Sequence, residues 1–209
     1  MLKAAVRLIG TSVVLIGLIP VVVGGTTTSV DFNPVFKPKL DVKPLTGKIS
    51  IDGRLDDPGW KSAAVIDQFH ERQPGDNIRP ETPTSVMIAY DESRICFAFD
   101  CRDDPHAVRA TMSQRDQWQH DDAVGFYLDT YGDGAWAYQL WVNPYGVQKD
   151  LLWTAFGGFN DLGFDLIWQS AARFTDSGWI AEVAIPFASI RFPDKPEQNW
   201  KIEIFRQRP

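Results

Sequence analysis

The chain has 209 residues, 44% of them hydrophobic and 23% charged, with a formal net charge of −6. That length allows one sizeable domain with its own core. The acidic balance argues against nucleic acid or an anionic membrane surface as the main partner, because phosphate binding needs clustered Lys and Arg. Eight Trp and thirteen Phe are unusual. Their flat rings serve either a core or the stacking of sugar rings.

Residues 1–25 read as an export signal. Lys3 and Arg7 form a positive start, Leu8 to Val23 is apolar apart from a few small or polar residues and Pro20, and Val23-Gly24-Gly25 offers a cleavage site. The apolar run is short for a bilayer span, so a cleaved leader fits better than an anchor. No Cys follows it, which argues against a lipoprotein. Residues 26–46, rich in Thr, Pro and Lys, read as an extended linker or a strand lying loosely on the domain.

From 47 onward the pattern is β. Lys48 to Ile51 predicts a short strand, and Asp56-Asp57-Pro58-Gly59-Trp60 a tight or single helical turn. Thr84 to Tyr90 and Arg94 to Cys101 predict a hairpin. Ala123 to Thr130 alternates, with Val124, Phe126 and Leu128 on one face and Gly125, Tyr127 and Asp129 on the other. Ala135 to Asn143 pairs back, and Asn143-Pro144-Tyr145-Gly146 turns into Val147 to Trp153. Gly157, Gly158 and Gly163 mark a long loop. Trp179, Ala181, Val183 and Ile185 share a face, Phe187 to Ile190 suggests one helical turn, and Trp200, Ile202 and Ile204 line the last strand. Trp60, Trp179 and Trp200 are assigned to the core. Trp136, Trp141 and Trp153 stay open, and since Trp136 and Trp141 face opposite ways one of them lies off the core. The expected fold is an all-β antiparallel sandwich, jelly-roll or immunoglobulin-like, spanning 47–209.

Cys96 and Cys101 share one strand and point to opposite faces. At ~3.3 Å per residue their Cα atoms stand about 16 Å apart. A disulfide needs less than about 7 Å, so both are expected as free, buried thiols.

Ile51-Asp52-Gly53-Arg54-Leu55-Asp56-Asp57-Pro58-Gly59-Trp60, Val86 to Asp91, Arg115-Asp116 with Asp121-Asp122, Asn143 to Gln148 with Asp150, Trp179 to Pro186 and Arg191-Phe192 follow one another in order. Together they resemble the family 9 carbohydrate-binding module, most of all the version at the N-terminus of outer-membrane-associated proteins. The resemblance runs from about Lys48 to Arg206. It implies a sandwich that binds oligo- or polysaccharide between two Trp rings, with polar side chains on the hydroxyls and calcium in the loops. Relatives without sugar affinity exist, haem-binding ones among them, so fold alone does not decide function.

Trp118 lies outside any alternating strand, and its place just before one resembles that of a stacking Trp. Trp168 resembles the other, with Asp165 where the family carries an amide. Arg115, Asp121, Asn143 and Gln148 complete the expected carbohydrate contacts. Gly125 departs from the family, which often has a Glu there facing the sugar; Gly offers no hydrogen-bonding side chain and often marks close backbone approach. Asp121 shares the facing of Gly125 by period two. Asp122, Asp129 and Asp133 are the expected ligands of a structural Ca2+, although no EF-hand spacing occurs and Asp is also a preferred turn residue.

No carboxylate pair is singled out for hydrolysis, His70, His106 and His120 lack zinc spacing, and neither a nucleophile elbow nor a phosphate loop occurs. The expectation is a non-catalytic, monomeric carbohydrate-binding accessory module in carbohydrate catabolism. It would be exported to the periplasm, outer membrane or exterior, and belong to or work beside a glycoside hydrolase or an outer-membrane β-barrel. The alternatives are a structural domain of an outer-membrane protein that has lost the sugar, and a haem-binding relative, for which no Cys-x-x-Cys-His is present.

Overall fold

The computed structural model describes residues 5–10, 14–17, 32–34, 38–156 and 160–209. The expected cleavage site at Val23-Gly24-Gly25, residues 26–31 and 35–37 of the linker, and Gly157 and Gly158 lie outside the described residues.

Two sheets face each other. The larger is ordered β11 (Asn160–Asp161), β10 (Gln148–Thr154), β9 (Trp136–Val142), β8 (Ala123–Asp129), β14 (Glu197–Arg208), β1 (Ala5–Gly10) and β3 (Lys39–Val42). Beside β14 also lies β2 (Val14–Gly17), which pairs with β5 (His70–Gln73). The smaller sheet is β12 (Gln169–Thr175), β13 (Gly178–Pro186), β7 (Arg94–Arg102), β6 (Thr84–Tyr90) and β4 (Ala64–Ile66). Pairing is antiparallel except where β1 and β2 meet β14 and β2 meets β5. The two-sheet antiparallel architecture is the expected sandwich.

Alternation builds the core. Val124, Phe126 and Leu128, with Tyr138, Leu140, Val142, Ile202 and Ile204, face Phe97, Phe99, Trp179, Ala181 and Val183 of the smaller sheet. Phe97 and Phe126 stack across the gap at 4.3 Å. Arg206, fully buried, links the sheets by donating to Thr84 Oγ1 at 3.1 Å and Asp103 Oδ2 at 2.6 Å. Trp60, Trp179 and Trp200 are buried, as expected.

Outside the smaller sheet a second cluster holds Ile49, Trp60, Ala89, Cys96, Ala98 and Ala184. Its polar anchor is Glu182, buried on β13, which accepts from the backbone N–H groups of Asp52 (2.9 Å), Gly53 (2.7 Å) and Arg54 (3.3 Å) and from Trp60 Nε1 (2.8 Å). The Asp52-Gly53 turn is therefore held by a residue about 130 positions later. Cys101 belongs to the main core and Cys96 to the second cluster, both free.

Lys48 to Ile51 is a correction, since these residues are extended but pair with no strand. The backbone groups there find partners outside any ladder: Lys48 O accepts from Gly59 N (3.2 Å), Ile49 O accepts from Arg94 Nη2 (2.7 Å) and Ser50 N donates to Asp57 Oδ2 (2.5 Å). Pro58–Ser62 and Phe187–Ser189 are 3-10 turns.

Candidate binding site

The sequence-expected sugar contacts divide into two groups. Asp121 and Asn143 are buried and bonded to each other, Asn143 Nδ2 donating to Asp121 Oδ2 at 2.8 Å. Asp121 also accepts from Thr111 N and Oγ1, and Asn143 Oδ1 accepts from Tyr145 N and Val147 N. These two residues tie the 108–122 segment to the Asn143-Pro144-Tyr145-Gly146 turn, and their lone pairs are occupied.

The other group gathers around Arg115. It donates to Asp150 Oδ1 from Nε (2.9 Å) and from Nη2, to Gln148 Oε1 (2.9 Å) and to Leu166 O (2.8 Å). Gln148 Nε2 in turn donates to Trp168 O at 3.1 Å. Asp165 stands 3.7 Å from Arg115 Nε and is exposed. Arg115, Gln148, Asp165 and Trp168 are thus brought together, but as a clasp of strand β10 on the following loop.

Neither expected stacking ring offers an open face. Trp118 is 4% exposed and Trp168 6% exposed. Trp168 packs in the main core cluster. Trp118 lies outside both clusters, and Lys149 Nζ covers its ring at 5.4 Å. A sugar stacks on exposed aromatic plane, which burial has removed from both.

The expected calcium ligands do not converge among the described residues. Asp129 spends its carboxylate on the N–H groups of Tyr131, Gly132 and Gly134, and Asp133 on that of Ala135. Asp122, buried, accepts from Arg109 N at 2.8 Å. Three other carboxylates, of Asp116, Asp150 and Asp165, lie within 4.8 Å of one another. Arg115 stands against all three as their counter-ion.

A different surface carries partly exposed rings: the outer face of the larger sheet, where Tyr127, Trp141 and Trp153 are half-buried. Cross-strand pairing lays side chains there in rows. One row runs Lys149, Trp141, Gly125, Phe205, and the next Leu151, Gln139, Tyr127, Glu203. Trp153 pairs with Ala137, and Asp129 with Lys201. Tyr127, Trp141, Trp153, Phe205, Glu203 and Arg72 line a cleft of about 470 Å³ on this face. Trp141 stacks on Phe205 at 5.5 Å, and Tyr127 meets Phe205 and Trp153 edge-on at 5.1 and 6.0 Å. Burial pushes the Glu203 carboxyl up to about 7, opposed by the charge of Arg72. Buried Gln139 has no hydrogen-bond partner on Oε1 among the described residues.

The sequence leaves Trp141 and Trp153 open and does not single out Tyr127 or Glu203. The alternation does separate Tyr127 and Trp141 from the core positions. What it lacks is the register that sets them beside Glu203 and Phe205.

The description "Carbohydrate family 9 binding domain-like" is that of the family model matching residues 51–205. The chain belongs to this family. The family 9 match spans both sheets from the Asp52-Gly53 turn to Phe205, and so contains the aromatic face. Among solved structures, a family 9 carbohydrate-binding module from Caldicellulosiruptor kristjanssonii in complex with glucose is 17% identical, with TM-score 0.50, 73% of this chain covered and 70% of that one. One from the same organism in complex with cellotriose is 13% identical, with TM-score 0.50, 80% of this chain covered and 93% of that one. At these identities the likeness is one of fold. No curated protein matches the chain.

Proposed function

We propose that this family 9 domain is a non-catalytic carbohydrate-binding module and that its site is the outer aromatic face of the larger sheet. The observation that carries this reading is the row Gln139, Tyr127, Glu203 flanked by Trp141, Phe205 and Trp153. Aromatic planes bury the C–H faces of a sugar, while a phenol and a carboxylate between them meet its hydroxyls. The glucose and cellotriose in the two related structures support a neutral glucan as first probe. The leader-like start supports export, and with it an accessory role in glycan breakdown at the cell envelope.

The test is a cellotriose titration followed by tryptophan fluorescence and calorimetry. Trp153→Ala should lower affinity on the order of ten- to hundredfold, as for aromatic hot spots, with the fold retained. If no neutral or charged oligosaccharide perturbs the wild type, the reading fails. A structural domain without sugar affinity is the second reading, favoured by the burial of Trp118 and Trp168.

A further inference from the structure

Charged side chains on the outer face differ in how they are occupied. Asp129 is held by three backbone N–H groups. Lys149 covers Trp118. Glu203 has neither hydrogen bond nor ion pair among the described residues, although it is partly buried and lines the cleft beside Tyr127, its cross-strand partner. Its oxygens stay open to the cleft, so donors brought by a ligand can take the place of water.

We propose that Glu203 is the residue that reads the ligand: its carboxylate accepts hydrogen bonds from adjacent hydroxyls of a neutral glycan lying on Trp141 and Trp153, and its ionisation sets the affinity. This rests on the outer face being the glycan site. Two hydroxyls on neighbouring ring carbons can each donate to one carboxylate oxygen. Such charge-assisted bonds are stronger than those of a neutral carboxylic acid. Ligand donors therefore favour the ionised form, and binding near neutrality releases a proton.

Among the described residues, few charged and titratable groups line the cleft with Glu203. Arg72 comes from β5, Lys201 from β14, and Tyr127 and Asp129 from β8. Strands β9 and β10 bring Ala137, Trp141 and Trp153. The sequence of β2 carries no titratable residue, and Arg7 on β1 pairs with Asn199, further along β14. The charge of Arg72 opposes the rise of the Glu203 pKa. An acidic sugar would gain from Arg72 and Lys201 but meet the Glu203 charge, so its pH dependence would have the opposite sign.

The experiment is calorimetry of cellotriose binding to the purified protein at pH 5.5, 7 and 8.5, in two buffers of different ionisation enthalpy at pH 7. Wild-type affinity should rise about tenfold from pH 5.5 to 8.5, with proton release at pH 7. Glu203→Gln should bind at the lower affinity at every pH, and Glu203→Asp should restore a pH dependence. A flat wild-type profile, or a Glu203→Gln profile equal to wild type, overturns the proposal even if Glu203→Gln folds poorly, because the wild-type profile is read independently. Cellotriose affinity that rises as pH falls overturns it. If Trp153→Ala loses binding while Glu203→Gln does not, the glycan face stands and this assignment fails. If wild type binds no sugar, the face itself is wrong.

Discussion

The indole of Trp141 lies on the backbone of Gly125, its cross-strand partner. A Cβ at position 125 would come 2.4 Å from Trp141 Cδ2 and 2.6 Å from Leu140 O. The glycine that looked like a missing ligand residue is the seat of an aromatic ring. On its other side Phe205 pairs with the same glycine and stacks on the same indole.

Gly125→Ala should therefore displace Trp141. Overpacking of this kind costs about 1–3 kcal/mol. Urea melts should show that loss, and tryptophan emission should shift to longer wavelength as the indole is pushed into water. Unchanged stability would mean that the ring moves freely and is not seated.

Glu203 gives a stability signature apart from any ligand. Its folded-state pKa is raised from 4.5 to about 7, so the folded protein holds a proton that the unfolded chain has released. Stability is then lost as pH rises from about 4.5 through 7. Glu203→Gln should leave stability unchanged near pH 4 and raise it by ~1–2 kcal/mol at pH 8.5, after allowing for solvent screening at this partly exposed site. Urea melts of both proteins across that range check the sign.

Glu182 should be among the most sensitive positions. Glu182→Ala leaves three backbone N–H groups and one indole N–H without an acceptor. With each buried orphan costing about 1–3 kcal/mol and partial hydration of the turn, a loss of about 3–5 kcal/mol is expected in urea. Glu182→Gln keeps one acceptor oxygen and should lose less.

Both thiols should be inert. Burial pushes Cys96 and Cys101 up to about 12, and the thiolate is the reactive form. Neither should be alkylated at pH 8 until the domain unfolds, and melting curves with and without reductant should coincide.

Much of the sandwich was legible because its central strands alternate. Val124, Phe126 and Leu128, or Trp179, Ala181 and Val183, declare a face from sequence alone. Strand β12 was missed because Gln169–Thr175 is an edge strand with no buried side chain and hence no alternation to read. Lys48 to Ile51 misleads because apolar Ile49 is buried in the second cluster without a ladder. The site was harder. Trp118 and Trp168 lie in irregular segments, where period two says nothing about burial. Tyr127 and Glu203 are 76 positions apart in sequence and adjacent only through the β8–β14 register.

The Glu182 anchor also bears on the order of assembly. The Asp52-Gly53 turn and Trp60 are made early in the chain, yet the carboxylate that fixes them arrives only with β13. Contacts of such separation carry the loop-closure entropy of the whole intervening chain and slow folding. The N-terminal turn must stay undocked until the smaller sheet has formed, so refolding followed at Trp60 should lag behind refolding followed at the core.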